Sequence, residues 1–234
     1  MNYKTIFITV TILLFAISAF AQEQKEIKVD QFNEVKLEGS AQWVLIPSDE
    51  EKVIIESKTE DVFSYIEANQ KGNLLIISTT DKNKNITKLF KSVTIKVYFK
   101  SIKSVSLSGV GSVTTKNKII GEELIVTLRG TGSMNMDIEC SEFTGNMYGT
   151  GSLEISGTTN KAKVNVEGVG AFEGFELITS DMQIKVSGVG GANVNATDNL
   201  TATLNGVGSI KYKGDPKTKN LDTNGLGNIK RYQN

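Results

Sequence analysis

A glycine pair separated by one residue recurs seven times through the second half of the chain. The copies are Gly109-Val110-Gly111, Gly130-Thr131-Gly132, Gly149-Thr150-Gly151, Gly168-Val169-Gly170, Gly188-Val189-Gly190, Gly206-Val207-Gly208 and Gly225-Leu226-Gly227. Their first glycines stand 21, 19, 19, 20, 18 and 19 residues apart. Self-similarity at a period near 20 residues marks stacked repeats, each of which buries its apolar face only against its neighbours.

The residues around each pair keep one parity. Two positions before the first glycine stand Leu107, Leu128, Met147, Val166, Val186, Leu204 and Thr223. Four positions after it stand Val113, Met134, Leu153, Phe172, Ala192, Ile210 and Ile229. All but Thr223 are apolar, and a period-2 pattern locked to a fixed point in every repeat places them on one buried face. Each unit therefore reads as strand, Gly-x-Gly, strand, polar turn. Over 105–234 the fold class is all-β, a parallel β-helix or β-solenoid of about seven rungs of about 19 residues, with equivalent residues one strand spacing apart. The alternative is a run of antiparallel hairpins folded into a β-sandwich.

A rung this short turns sharply, and sharp corners often demand φ > 0, which glycine allows. If alternation persists through the corner, both glycines also point inward, where only hydrogen fits. The sequence leaves both causes open. It places the middle residues outside, as a column of Val110, Thr131, Thr150, Val169, Val189, Val207 and Leu226. Beside it runs a column of small residues: Ser112, Ser133, Ser152, Ala171, Gly191, Ser209 and Asn228. An exposed apolar column next to a flat one suits self-association or docking onto a partner.

Residues 22–104 form a β-rich region or cap continuous with the solenoid. Val35 and Leu37, Trp43 to Ile46, Val53 to Ile55, Leu74 to Ile77, and Val93 to Phe99 are short β-branched or alternating runs bounded by turn residues. Lys71-Gly72-Asn73 reads as a turn, Asp61 to Asn69 as a short helix or another strand, and Lys82 to Lys91 as a polar loop.

Residues 1–21 read as a signal peptide. Lys4 precedes the apolar run Ile6 to Ile17, and Ser18-Ala19-Phe20-Ala21 supplies a small-x-small cleavage pattern. The protein is expected to be exported, to the periplasm, the outer surface or the medium. Removing Lys4 from the 26 basic residues leaves 25 against 26 acidic ones, a net charge of −1. No strong field attracts nucleic acid or anionic membrane. No second apolar stretch reaches the length of a membrane span.

Chemistry-bearing residues are sparse. Histidine is absent, which removes the commonest general base and metal ligand. Cys140 is the single cysteine, set among acidic neighbours, and reads as a small inert thiol. The third glycine of a nucleotide-binding Gly-x-Gly-x-x-Gly is missing, and no regular Asp marks a calcium-binding turn. No cofactor, metal or catalytic residue is assigned. Carboxylates are the only catalytic candidates: Asp137 and Glu139, with Glu173 and Glu176 read as one rung later. They alternate with Lys161, Lys163 and Lys185 in the manner of a solvated exterior. A carbohydrate platform would use exposed rings. Tyr98, Tyr148, Tyr212 and Tyr232 are the candidates, and Tyr148 is the leading one for a surface contact because it lies on the polar parity of its strand.

These motifs resemble those of a bacterial family, the GIN head domain of autotransporter adhesins. The resemblance rests on Ser108-Gly109-Val110-Gly111-Ser112, Gly149-Thr150-Gly151-Ser152 and Ser187-Gly188-Val189-Gly190. Upstream it extends to Phe32 to Leu37, Gly72 to Ile76 and Val93 to Phe99, and downstream to Ile210 to Pro216. It implies an exported β-solenoid with a surface or adhesive role and fixes no ligand. One departure is that Ile229 to Asn234 lead into no membrane β-barrel, so delivery to the surface would need another machine. The function expected is that of a non-catalytic adhesin-like or scaffold protein, acting by self-association or on a protein or glycan partner. The alternatives are a carbohydrate-binding module or a polysaccharide-cleaving β-helix enzyme.

Overall fold

The computed structural model describes residues 23–80 and 93–233. The expected signal peptide and the polar loop at 82–91 lie outside the described residues.

The strands are β1 (Glu23–Lys28), β2 (Glu34–Pro47), β3 (Lys52–Ser57), β4 (Ile66–Lys71), β5 (Leu74–Thr79), β6 (Thr94–Phe99), β7 (Ser104–Thr115) and β8 (Ile119–Leu128). They continue as β9 (Thr131–Met147), β10 (Thr150–Val166), β11 (Val169–Val186), β12 (Val189–Leu204), β13 (Val207–Lys213), β14 (Thr218–Thr223) and β15 (Leu226–Arg231). From β2 onward neighbouring coils pair in parallel, in the order β2, β7, β8, β9, β10, β11, β12, β13 and β15. The fold is the parallel solenoid, and its corners stand in file: Gly111 pairs with Gly132, Gly132 with Gly151, and Gly151 with Gly170.

Among the described residues antiparallel pairing is confined to the N-terminal end. There β1 pairs with β3, β3 with β6, and β4 with β5. β5 and β6 themselves lie parallel to the two halves of β2. Reversed strands thus close one end of the parallel stack, where an open core would otherwise meet water. The segment read as helix or strand is both: a 3-10 helix over Glu60–Tyr65, then β4. Gly72 turns the chain from β4 to β5 with φ 58°.

The stack starts earlier than the seven glycine pairs indicate. β2 pairs with β7 so that Gly39 stands opposite Gly109 and Ala41 opposite Gly111. Gly39-Ser40-Ala41 is an eighth corner, without the second glycine. Thr79 fills the space beside it and accepts a hydrogen bond from the Ser40 amide at 2.7 Å.

Uneven repeat lengths have local causes. In the 21-residue coil the ladder is interrupted between Thr115 and Ile119. In the 20-residue coil β11 bulges: Glu173 and Ile178 pair with Asn193 and Asn195, so three extra residues are accommodated there. In β9, β10, β11 and β12 the expected polar turn is a second bend inside one continuous strand, as where Thr158 and Thr159 of β10 pair with Glu139 and Cys140 of β9.

The core is a single apolar file. The residues expected to face inward are buried from Leu107 to Leu204 and from Val113 to Ile210, whereas Thr223 is exposed and Ile229 only half-buried on the last coil. Trp43, Phe32, Phe99, Phe143 and Phe172 are its largest fully buried side chains. Burying one Phe side chain contributes about 1.5–3 kcal/mol.

Candidate functional site

Crowding demands glycine at both members of each corner pair, and a positive φ demands it again at the second. A β-carbon on Gly168 would stand 1.8 Å from the Gly149 carbonyl oxygen. Gly168 has no positive φ, so close approach alone demands glycine there. Gly170 has φ 147°, and its β-carbon would also meet the Gly151 carbonyl oxygen at 1.8 Å. The forbidden direction runs along the stack, toward the preceding coil. This differs from the inward orientation expected from strand alternation, because the chain bends at the corner and the pleat does not carry through it. The ladder nevertheless continues, since the Val169 amide donates to the Gly149 carbonyl at 3.0 Å.

A rigid ridge results. Val110, Val169, Val189, Val207 and Leu226 are 48–76% exposed, and Thr131 and Thr150 are exposed between them. Successive members sit one strand spacing apart, so the ridge runs for about 29 Å. The flanking column, Ser112, Ser133, Ser152, Ala171, Gly191 and Ser209, is half-buried, and Asn228 is exposed at the end. Tyr148 adjoins this corner and is 40% exposed. The guanidinium carbon of Arg129, one coil earlier, sits 4.6 Å from its ring centroid. Such a pair stabilises by about 0.5–1 kcal/mol at an exposed site.

The other tyrosine candidates separate. Tyr98 lies beneath the Lys52 ammonium at 5.4 Å. Tyr212 turns inward, opposite Val194, and is buried, which removes it from any surface platform. Tyr232 is exposed and packs against Phe175, with ring centroids 4.8 Å apart. Phe175 had not been singled out. Alternation from the inward Phe172 already sets it outward, and the 20-residue interval marks the bulge that follows and returns Leu177 to the core.

The acidic candidates do not converge. Asp137 and Glu139 lie on β9 and Glu173 and Glu176 on β11, two rungs apart and not one, because β10 intervenes. Glu139 faces Lys118 at 3.7 Å, Glu173 accepts from Asn193, and Glu176 faces Lys213 at 3.4 Å. Cys140 lines the inner side of the second bend with Thr159 and Thr179, a file where small side chains fit. Burial pushes its thiol pKa up, partly offset by its hydrogen bond to the Thr159 hydroxyl at 3.6 Å. Among the described residues no three acidic, cysteine or histidine side chains gather as metal ligands. No helix among them is long and apolar enough to cross a membrane.

The fold has solved counterparts. The chain is similar to a putative adhesin from Bacteroides fragilis, with 27% identity, TM-score 0.86, and coverage of 91% of this chain and 97% of that one. It is similar in fold to a putative lipid binding protein from Parabacteroides distasonis (23% identity, TM-score 0.71, the same coverages). A putative adhesin from the same species shares 21% identity with TM-score 0.69, again over 91% of this chain and 97% of that one. No curated protein matches the sequence. A family model matches residues 31–216, nearly the whole described solenoid with its N-terminal strands, and the chain belongs to that family, "Putative auto-transporter adhesin, head GIN domain".

Proposed function

We propose that this protein is an exported, non-catalytic adhesin-like scaffold that docks through its Gly-x-Gly ridge. The observation that carries this reading is the row of exposed Val and Leu side chains on a backbone that the corner glycines hold at a fixed pitch. An apolar strip without a covering element favours association. A rigid frame limits the ordering entropy that association costs. The family description and the adhesin names of its structural counterparts support the same reading.

The ridge and its flanking row of small residues have one repeat, so a two-fold related copy can seat its ridge in that row. Self-association is therefore one use of the surface, and a protein or glycan coat is the other.

The test is adhesion of beads carrying the mature chain to bacterial and host-cell surfaces. The variant combines Val169→Asp, Val189→Asp and Val207→Asp. Adhesion is expected to fall to background with an unchanged thermal midpoint. A variant that adheres like the parent sinks the reading, as does turnover of a glycan by the purified protein. Cell fractionation checks export, and a wholly cytoplasmic chain contradicts it.

A further inference from the structure

Four outward side chains from successive coils converge near the end of the stack. Phe175 comes from the β11 bulge, Asn195 from β12, Lys213 from the end of β13, and Tyr232 follows β15. Register alone keeps Phe175 and Tyr232 apart; the bulge brings their rings together at 4.8 Å, tilted by 47°. The Lys213 ammonium sits 4.7 Å from the Phe175 centroid and 5.7 Å from that of Tyr232. Tyr232 is fixed by its backbone, whose amide donates to the Tyr212 carbonyl at 2.8 Å.

Beside this cluster lies an open recess of about 450 Å³, lined by Asn195, Lys213, Gly214, Arg231 and Tyr232. We propose that it binds an acidic pyranose, a sugar ring carrying a carboxylate. The recess combines an aromatic face for the C–H side of a sugar ring with few, convergent polar groups. Its lining holds two cations and no acid. Among the described residues Arg231 reaches only to Asp215, at 3.7 Å, too long for a hydrogen bond, which leaves its planar fork to grip a carboxylate. Lys213 reaches Glu176 at 3.4 Å, but Glu176 and Asp215 are each 79% exposed. Such surface pairs are weak and yield to a ligand anion. The Asn195 amide nitrogen donates to the Phe175 carbonyl at 3.1 Å, which fixes the side chain and leaves its oxygen for a sugar hydroxyl. Lys211 and Lys230, paired in register on the same outward face as Lys213, add positive potential.

The recess is separate from the corner ridge, so its occupancy does not depend on docking there. The experiment is isothermal titration of the whole chain with trigalacturonate and, in parallel, with neutral galactotriose at low salt. Saturable binding of the acidic sugar is expected, with the neutral one at least about tenfold weaker, as the loss of one charge-assisted pair implies. Arg231→Gln, which touches no packed ring, is expected to weaken trigalacturonate about tenfold, and Tyr232→Ala to weaken it similarly. Val189→Asp is expected to leave it unchanged. Equal affinity for both sugars overturns the proposal, as does silence up to about 10 mM ligand. So does unaltered binding by Arg231→Gln while Tyr232→Ala only lowers the thermal midpoint; the rings would then serve only to staple the last coil.

Discussion

The carbonyl oxygen of Gly149 stands 1.8 Å from the place a β-carbon on Gly168 would have to occupy. The same contact, at 1.8–2.0 Å, recurs at the first glycine of all seven pairs. No side-chain rotation relieves it, because both partners are backbone. Gly168→Ala therefore has to pry two coils apart, and a loss of more than about 3 kcal/mol is expected. Gly72 supplies the control. Nothing lies within 4 Å of its hypothetical β-carbon, so Gly72→Ala meets only the strain of a left-handed φ, about 1–2 kcal/mol. Urea unfolding of both variants checks the order. Equal losses would contradict the close-approach account.

Phe172 and Val169 lie three residues apart on one strand and should behave as opposites. Phe172 is fully buried, and Phe172→Ala is expected to cost about 3–5 kcal/mol through lost burial and a cavity. Val169 stands on the ridge, and Val169→Ser should stay within about 0.5 kcal/mol. Unfolding curves for the two variants test the assignment of inward and outward parity.

Cys140 gives a pH signature. Its thiol pKa is raised by burial, so the folded state prefers the protonated form. Its contribution to stability is complete below the ordinary thiol pKa and is lost as pH rises through the folded value. The native protein should alkylate slowly with iodoacetamide near pH 8, and denatured protein quickly. Removing the group by Cys140→Ala should flatten the alkaline fall of the unfolding midpoint. Fast native alkylation would refute the buried placement.

The pair of Asp198 and Lys217, 2.6 Å apart, provides an electrostatic test. Their hydrogen bond lowers the Asp198 pKa and raises that of Lys217. The Asp198 contribution is present above the ordinary carboxylate pKa and disappears as pH falls through the lower folded value. That of Lys217 is present below the ordinary lysine pKa and is lost as pH rises through the higher folded one. Lys217 is exposed and Asp198 partly so, and the effect is small and screened by salt. Asp198→Asn should lower the thermal midpoint slightly at neutral pH, and not at all in strong acid or at about 1 M salt. An effect that survives high salt would show that the side chain acts otherwise.

Much of the architecture was legible because one residue type repeats for one reason. The seven glycine pairs and the alternation from Leu107 to Ile210 gave the parallel stack and the inward face. Gly39 escaped because Ala41 replaces the second glycine, and Ser40 and Thr79 are ordinary strand residues until the ladder joins them. Tyr212 fails as a surface ring because it shares the parity of the inward Ile210, two residues earlier, and stands opposite the buried Val194. For Phe175 alternation set the outward side, and the one surplus residue in its repeat was a sign that something bulges but not of what the ring meets.

The sequence by itself determined the coil: period-2 alternation and a fixed repeat are local properties, and each rung restates them. Tertiary structure alone decided the direction in which the corner glycines are crowded, the reversed strands that close the N-terminal end, and the meeting of Phe175 with Tyr232. Those depend on contacts between coils distant in the chain, set by a bend, a register and a bulge that no single segment encodes.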